Sequence, residues 1–499
     1  MWGRSVSLAV AAALLAGAAA AQEQAPPPAV APPGVAVPPP APVARPLPIN
    51  LATALQLSGA RSLDVAAAGA RVQAAAAQLQ RAQVLWLPNV LFGTDYFRHD
   101  GQIQAVAGEV FGTSKGSFML GLAPIAVFNV SDALFGPLAA RQVLRARQAS
   151  ARAAANDAVQ AVAEAYFNVQ QARGELAGAV DAVRRAEEVV RLAEQIYKQG
   201  RVPEVEVVRA RAELARRRQA VCTARERWRV TSAELIRLLH LDPSAIVEPL
   251  EPPHLQVTLV DPRTPADELV PVGLLNRPEL AAQQALVRAA LEQMRQEKLR
   301  PLVPSVLLRG ASTNPAGTLA AGLFGGGLND NMSNFGMRSD FDVQVLWEFQ
   351  SLGFGNKARV NERRAAHRLA LIEAFRLQDR VAAEVVQAHA QAQEAAARLA
   401  DAEDEVRNAV DSVTKNLQGV TQTRKVGDLF VLLIRPQEVV AAVQALAQAY
   451  NDYYAAVGDY NRAQFRLYRA MGQPAELVIA QAGAACPSPP AADPAPPTR

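Results

Sequence analysis

The sequence predicts a mixed α and β membrane protein, internally duplicated, in which long antiparallel coiled-coil helices are joined to four short strands per chain. Three observations predict it. The opening of the chain recurs in order further along; long Ala-rich tracts carry apolar residues at 3-4-3-4 spacing; and each half holds two β-like segments that alternate apolar and polar residues.

The repeat is read by laying Pro88 on Pro304. Without a gap, Arg61 then meets Arg277, Ala66 meets Ala282, Ala74 meets Ala290, Gln80 meets Gln296 and Leu91 meets Leu307. Two similar halves of one chain pack as pseudo-equivalent neighbours about a common axis. In each half a first helix is expected over about 50–86 and 267–300, stopped by proline at Leu85-Trp-Leu-Pro88 and Leu299-Arg-Pro-Leu-Val-Pro304.

Strands are expected over about 89–135 and 305–355, where Gly, Asn and aromatic residues concentrate. The clearest is Asp340–Phe349, with Phe341, Val343, Val345, Trp347 and Phe349 on one face and Asp342, Gln344 and Glu348 on the other. A half-buried strand of a soluble sheet has the same pattern. Two strands per half around a Gly-rich hairpin loop, Gly322 to Gly327, make only a marginal sheet, however, and the chain carries an export signal. Lipid-facing strands of a transmembrane barrel fit better, and because a barrel needs at least about eight strands, several chains must pool theirs.

The long helices give the second part of the fold. Leu176, Ala179, Val183, Ala186, Val190, Ala193 and Tyr197 trace one coiled-coil seam, and Leu399, Ala402, Val406, Ala409, Val413, Asn416 and Val420 its counterpart. A helix of about 60 residues reaches about 90 Å. Each is expected to reverse at a glycine, Gly200 before Pro203 and Gly427 before the final helix, and to be flanked by the first and returning helices stacked end to end.

The termini frame these repeats. Met1-Trp-Gly-Arg4, the apolar run Leu8–Ala20 and Ala19-Ala-Ala21 read as a cleavable signal peptide over 1–21, since the run is shorter than the ~20 residues of a spanning helix. Residues 22–48 read as a Pro-rich linker, 49–241 as the first repeat, 242–266 as an interhalf linker with a β-like run Leu255–Leu259, 267–475 as the second repeat, and 476–499 as a disordered tail.

Composition narrows the function. The net charge is +4 and the charges are interspersed along the helices, which describes solvated faces and no nucleic-acid surface. The basic run Arg209–Arg229 holds Glu213 and Glu226 and a single aromatic, Trp228. Five scattered histidines, cysteines only at 222 and 486, and a Gly325-Gly-Gly327 run without Lys-Ser/Thr leave no catalytic set, no metal ligands and no cofactor site.

With this order on the page, residues 49–475 resemble the TolC-like outer membrane efflux protein family. The resemblance is carried by the paired openings ending in Leu-Pro-Asn and Val-Pro-Ser, by Trp347-Glu-Phe-Gln-Ser-Leu-Gly-Phe-Gly355, by Tyr197-x-x-Gly200 and by the closing Tyr450–Gly472. It implies a homotrimer with a 12-stranded barrel in outer-membrane lipid and a periplasmic α-barrel. It also implies a periplasmic adaptor and an inner-membrane transporter as partners, for efflux or type I secretion. Adaptor-docking candidates are then Gly200, Arg201, Val202, Gly427, Asp428 and Leu429. Constriction candidates are Glu206, Arg201, Leu433 and Arg435, the last two standing where the family usually has a Leu-Asp pattern. An exported coiled-coil scaffold, or the adaptor itself, is the competing reading; the first leaves the alternating strands unexplained and the second predicts one hairpin, not two.

Overall fold

The structure, a computed structural model, describes residues 45–87, 89–310, 322–326, 336–338, 341–426 and 429–473. The signal peptide, most of the Pro-rich linker, Gly427, Asp428 and the tail lie outside the described residues. The first half runs β1 (Arg45–Ile49), α1 (Leu51–Arg61), α2 (Leu63–Gln83), β2 (Asn89–Gln104), β3 (Val110–Asn129), α3 (Val130–Lys198) and α4 (Glu204–Leu239). After β4 (Ala245–Pro249) the second half runs α5 (Ala266–Asn276), α6 (Pro278–Leu299), β5 (Ser305–Gly310), β6 (Gly322–Gly326), β7 (Gly336–Arg338), β8 (Phe341–Leu346) and α7 (Phe354–Gly419). It ends with β9 (Thr423–Val426), β10 (Leu429–Leu432) and α8 (Pro436–Ala470).

Several boundaries differ from the sequence reading, each for a local reason. The expected first helices are both broken: Ser62 caps α2 through Val65 N, and Pro278, which lacks an N–H, opens α6. Arg45–Pro48 is not spacer but strand, because β1 pairs in parallel with β4 from Arg45↔Ala245 to Ile49↔Pro249. Residues 130–135 already belong to α3. Gly322–Gly326 forms a strand where a hairpin loop was expected, and the strand expected over 340–349 is regular only from Phe341 to Leu346.

Residues 255–259 form no strand. Their backbone is satisfied instead by two amides on α8: Asn461 Oδ1 accepts from Val257 N at 2.8 Å and Gln464 Oε1 from Leu259 N at 3.0 Å, while Asn461 Nδ2 donates to Leu255 O at 2.7 Å. Both amides are fully buried. An extended linker without a strand partner has to be paired in some such way.

At 69 and 66 residues, α3 and α7 each reach about 100 Å. They run side by side with the shorter helices in one layer: α4 packs on α3, α3 on α8, and α8 on α7. Nearer the strands, α2 and α6 take the places of α4 and α8 beside α3. The end-to-end stacking read from the sequence is present. Its junction is a core in which Leu55 of α1, Tyr166 and Phe167 of α3, Leu235 and Leu239 of α4 and Val247 of β4 meet.

The α3–α8 contact joins the two halves. Gly174 and Gly178 on α3 receive the rings of Tyr454 and Tyr450 on α8, and a Cβ on Gly178 would stand 2.7 Å from that of Tyr450. The Tyr450 phenol donates to Asp181 Oδ2 at 3.1 Å; burial, then the Asp181 charge, pushes its pKa up to about 12, so it remains a donor at any physiological pH. Further along, Arg462 donates to Asn168, Arg466 to Glu164 and Arg469 to Asp157, at 2.7, 2.7 and 2.8 Å.

The seam on α3 is only partly the expected one. Leu176, Ala186 and Ala193 are buried, but Ala182, Val189 and Ile196 take the places expected for Val183, Val190 and Tyr197. Because α3 touches α4 and α8 at once, its buried strip is set by two neighbours and drifts by one residue from a single heptad line. On α7, Leu399, Ala402 and Val413 are buried as expected, as is Val420 just past its end.

A Gly178→Leu change forces the α3 and α8 backbones apart, and overpacking of this kind costs about 1–3 kcal/mol or more. Thermal unfolding followed by circular dichroism should show a lower midpoint for Gly178→Leu and little change for Gly69→Leu, where nothing stands within 4 Å of the added Cβ.

Candidate functional site

Two regions can interact with a membrane or a partner: the sheet and the far end of the helices. In the sheet, β2 pairs along the whole of β3 from Asn89↔Ile125 to Gln104↔Val110. The other edge of β3 carries β5, with Asn129↔Ser305, and further along β6, with Leu120↔Leu323. In turn β8 pairs β5 and β7 pairs β6. Thus β5 and β6 follow one line and β7 and β8 another, giving four columns, each antiparallel to its neighbour. Among the described residues, the outer edges of β2 and of β7–β8 have no partner.

Register settles which residues share a face. Tyr96 opposes Phe118; Ala126 opposes Leu308, which opposes Val343; Phe128 opposes Val306, which opposes Val345. With Val90, Phe92 and Phe341, every one of these is apolar, and Phe92 and Phe341 are 74% and 75% exposed. The opposite face carries Asp95, His99, Asn129, Ser305, Asp342 and Gln344 among Phe97, Val127 and Leu307. An apolar sheet face open to the surroundings, interrupted at Thr94 and giving way to Arg98 and Asp100 towards the β2–β3 turn, is a membrane or partner surface. Trp347 and Phe349 lie beyond the end of β8 and are exposed. With Trp86, whose ring is 6.4 Å from Phe128, they gather at the helix-facing end of the sheet, where aromatic side chains of a membrane barrel lie in the headgroup zone. Among the described residues no helix is long and apolar enough to cross a membrane.

At the far end, α3 stops at Gly200, whose φ of +71° is the left-handed conformation that lacks a steric penalty only in glycine. Gly200 N donates to Tyr197 O at 2.8 Å and Arg201 N to Ile196 O at 3.2 Å, which closes the last turn before α4. Arg201 is exposed, and Val202 packs into a core shared by all four long helices, with Ile196, Val207, Val413 and Val439.

The second half turns differently. The helix ends at Gly419, not near Gly427, and Ile434 fills the space a Cβ at Gly419 would need. The chain then forms the β9–β10 pair, Val426↔Leu429, with Gly427 and Asp428 between them outside the described residues. Leu433 N donates to Gln422 O at 3.0 Å, and Leu433 and Arg435 are both exposed.

Glu206 is mostly buried. Its Oε1 accepts from Arg209 at 3.0 Å, and Arg209 reaches Gln437 Oε1 of α8 at 3.1 Å. One heptad on, buried Glu213 accepts from Gln444 at 2.7 Å. Sequence reasoning missed Arg209, Gln437, Glu213 and Gln444. The signal was present, since Glu206 and Glu213 on one helix and Gln437 and Gln444 on the other recur at seven-residue spacing. The structure therefore brings Arg201, Val202, Glu206 and Leu433 to one end of the molecule and keeps the residues of the apolar strand face at the other. Among the described residues no group of His, Cys, Asp or Glu could hold a metal ion.

Gly200→Val meets no neighbour but must adopt the same positive φ, at about 1–2 kcal/mol. Limited proteolysis should cut the 198–204 turn faster in this variant, with the global unfolding midpoint nearly unchanged.

Residues 54–239 match the family model described as Outer membrane efflux protein. No curated protein sequence matches the chain significantly. Solved structures do. The CmeC outer membrane channel of Campylobacter jejuni is similar with a TM-score of 0.67 at 16% identity, over 87% of this chain and 89% of that one. The outer membrane protein VceC of Vibrio cholerae gives 0.66 at 17%, over 85% and 96%. The open state of the MtrE outer membrane channel of Neisseria gonorrhoeae gives 0.64 at 17%, over 85% and 89%. The family's sequence pattern thus lies in the first half, over residues 54–239, and the fold of these outer membrane channels extends along most of the chain.

Proposed function

We propose that the protein is an outer-membrane exit duct: a passive channel in which three copies close one 12-stranded barrel and extend their helices as a tunnel into the periplasm. The observation that carries the reading is the four-column sheet, with one apolar face and two unpaired edges, set at the end of helices about 100 Å long. Four columns that alternate in direction can be joined end to end, the β8 edge of one copy to the β2 edge of the next, with every neighbour still antiparallel. Three such joins give a barrel with no free edge, which is the condition for a sheet to sit in lipid. A soluble scaffold or an adaptor would leave that apolar face in water.

The two halves are read as a duplicated unit on their common order of elements and on the breaks at Ser62 and Arg277. The helix ends are the parts farthest from the sheet, so Gly200, Arg201 and Val202, with Leu429, are the surface offered to a periplasmic adaptor linked to an inner-membrane pump; Gly427 and Asp428, expected to share that role, lie outside the described residues. Glu206, Arg201, Leu433 and Arg435 are candidates for the narrowest point. Glu206 is supported by its place beside Val207 of the turn core; its carboxylate Oε2 is buried without a hydrogen-bond partner among the described residues. Transport energy comes from the pump, and the duct does no chemistry.

The test is made on detergent-purified protein. It should run as a heat-modifiable trimer on gels and form stepwise conductances in planar bilayers, and a monomer soluble without detergent would overturn the reading. Glu206→Ala should shift ion preference away from cations if the carboxylate lines the constriction; an unchanged reversal potential in a salt gradient removes it from that role.

A further inference from the structure

An open groove in the helix layer has no part in the duct reading. Near the tips α4 and α8 are bridged, by Arg209 on Gln437 and by Gln444 on buried Glu213. Towards the sheet they part over α3. There α8 follows one flank, where Tyr450 and Tyr454 seat on Gly178 and Gly174, and α4 follows the other, where Arg218 pairs with Glu187 at 2.9 Å and Arg227 with Glu175 at 2.7 Å. The side chains that face the gap are small: Ala179 and Ala182 of α3, Ala220 and Ala224 of α4, and Ala447 of α8. Five methyl groups cannot fill the space between three helices whose spacing is set by longer side chains at either end, and a groove of about 450 Å³ remains. That lies within the range of small-ligand sites, about 300–1,000 Å³.

The two ends of the groove differ in charge. At the end nearer the sheet, buried Glu175 accepts from Arg227 and from Gln171, each at 2.7 Å, so that one guanidinium meets one carboxylate. At the end nearer the tip, two guanidiniums share one carboxylate: Arg216 Nη1 lies 3.1 Å from Glu213 Oε2 and Arg217 Nε 2.7 Å from Oε1. The second contact is not aligned as a hydrogen bond, and both of its atoms are buried. Asp181 of α3 cannot restore the balance, because Arg184 and the Tyr450 phenol already hold it. The Arg217 side chain is only 16% exposed, which leaves water little access to its charge. An excess guanidinium in such a place is stabilised by a second anion.

The geometry points to a binding site for a small organic monoanion, a carboxylate or sulfonate on an apolar body about 10 Å long, the rise of the seven residues from Arg217 to Ala224. The head group sits on Arg216 and Arg217, and the body lies along the alanines. Exposed Gln219, Thr223 and Asn451 also line the groove and offer neutral hydrogen bonds to a substituted body. A neutral apolar molecule would use only the alanines and an inorganic anion only the guanidiniums; an anion with an apolar body uses both. Every one of these residues belongs to one chain, so the site does not depend on how copies assemble.

Full-length protein in detergent, dialysed to equilibrium against naphthalene-2-carboxylate, tests the site, with naphthalene-2-carboxamide as the neutral control. Carboxylate binding should saturate at one per chain, and the carboxamide should bind at least about tenfold more weakly, the difference a charge-assisted hydrogen bond makes. Arg216→Gln leaves one guanidinium on Glu213; it should weaken carboxylate binding about tenfold and leave carboxamide binding unchanged. Ala224→Leu fills the groove without touching a charge and should abolish saturable binding of both probes, with melts followed by circular dichroism checking that each variant is folded. Equal binding of the two probes, wild-type affinity in either folded variant, or no saturable uptake would overturn the site. None of those results bears on trimer mass or conductance, which test the duct separately.

Discussion

The structure depends on how closely α3 can approach α8. Those helices belong to different halves, and no covalent feature other than the linker of 242–265 holds the halves in place. Gly174 and Gly178 remove two side chains from the contact, so that the rings of Tyr454 and Tyr450 seat against bare backbone. That approach sets the height at which Arg462, Arg466 and Arg469 meet Asn168, Glu164 and Asp157. It also fixes the two chain segments that run into the sheet, because α3 begins one residue after β3 and α7 shortly after β8. Register at the helix contact and register between β3 and β5 are thus two ends of one constraint.

At the end of the helices nearest the sheet the constraint changes kind. Helix packing tolerates an exposed outer face, but a strand edge in lipid leaves N–H and C=O groups that water cannot reach. On the exit-duct reading, a sheet of four columns is therefore incomplete in a way the helix layer is not, and the strands dictate the number of copies.

Much of this was legible in the sequence because it is periodic. The strand alternation at Phe341, Val343 and Val345, the length of α3 and α7, the turn at Gly200 and the second seam all follow from patterns a few residues long. What was not legible depends on partners distant in the chain. The shift of the α3 strip to Ala182, Val189 and Ile196 needs knowledge that two helices flank α3. The strand at Arg45–Ile49 forms only because Ala245–Pro249 lies beside it, in a segment whose prolines argue for spacer. Residues 255–259 look like a strand by composition, yet their hydrogen bonds go to Asn461 and Gln464, two hundred residues away.

The unequal ends of the two hairpins show how local sterics override a repeat. At the first, Gly200 has open space around it and the helix can stop by left-handed closure. At the second, the α-helix runs to Gly419, where Ile434 packs in the space a side chain would need, and the chain travels out and back through β9 and β10 before Pro436 opens α8. The second end thus carries backbone strands where the first carries a tight turn, and the acidic position of the first, Glu206, faces no acidic counterpart in Leu433. The two tips therefore expose different surfaces: backbone and the exposed Arg201 at one, a two-stranded pair flanked by Leu433 and Arg435 at the other.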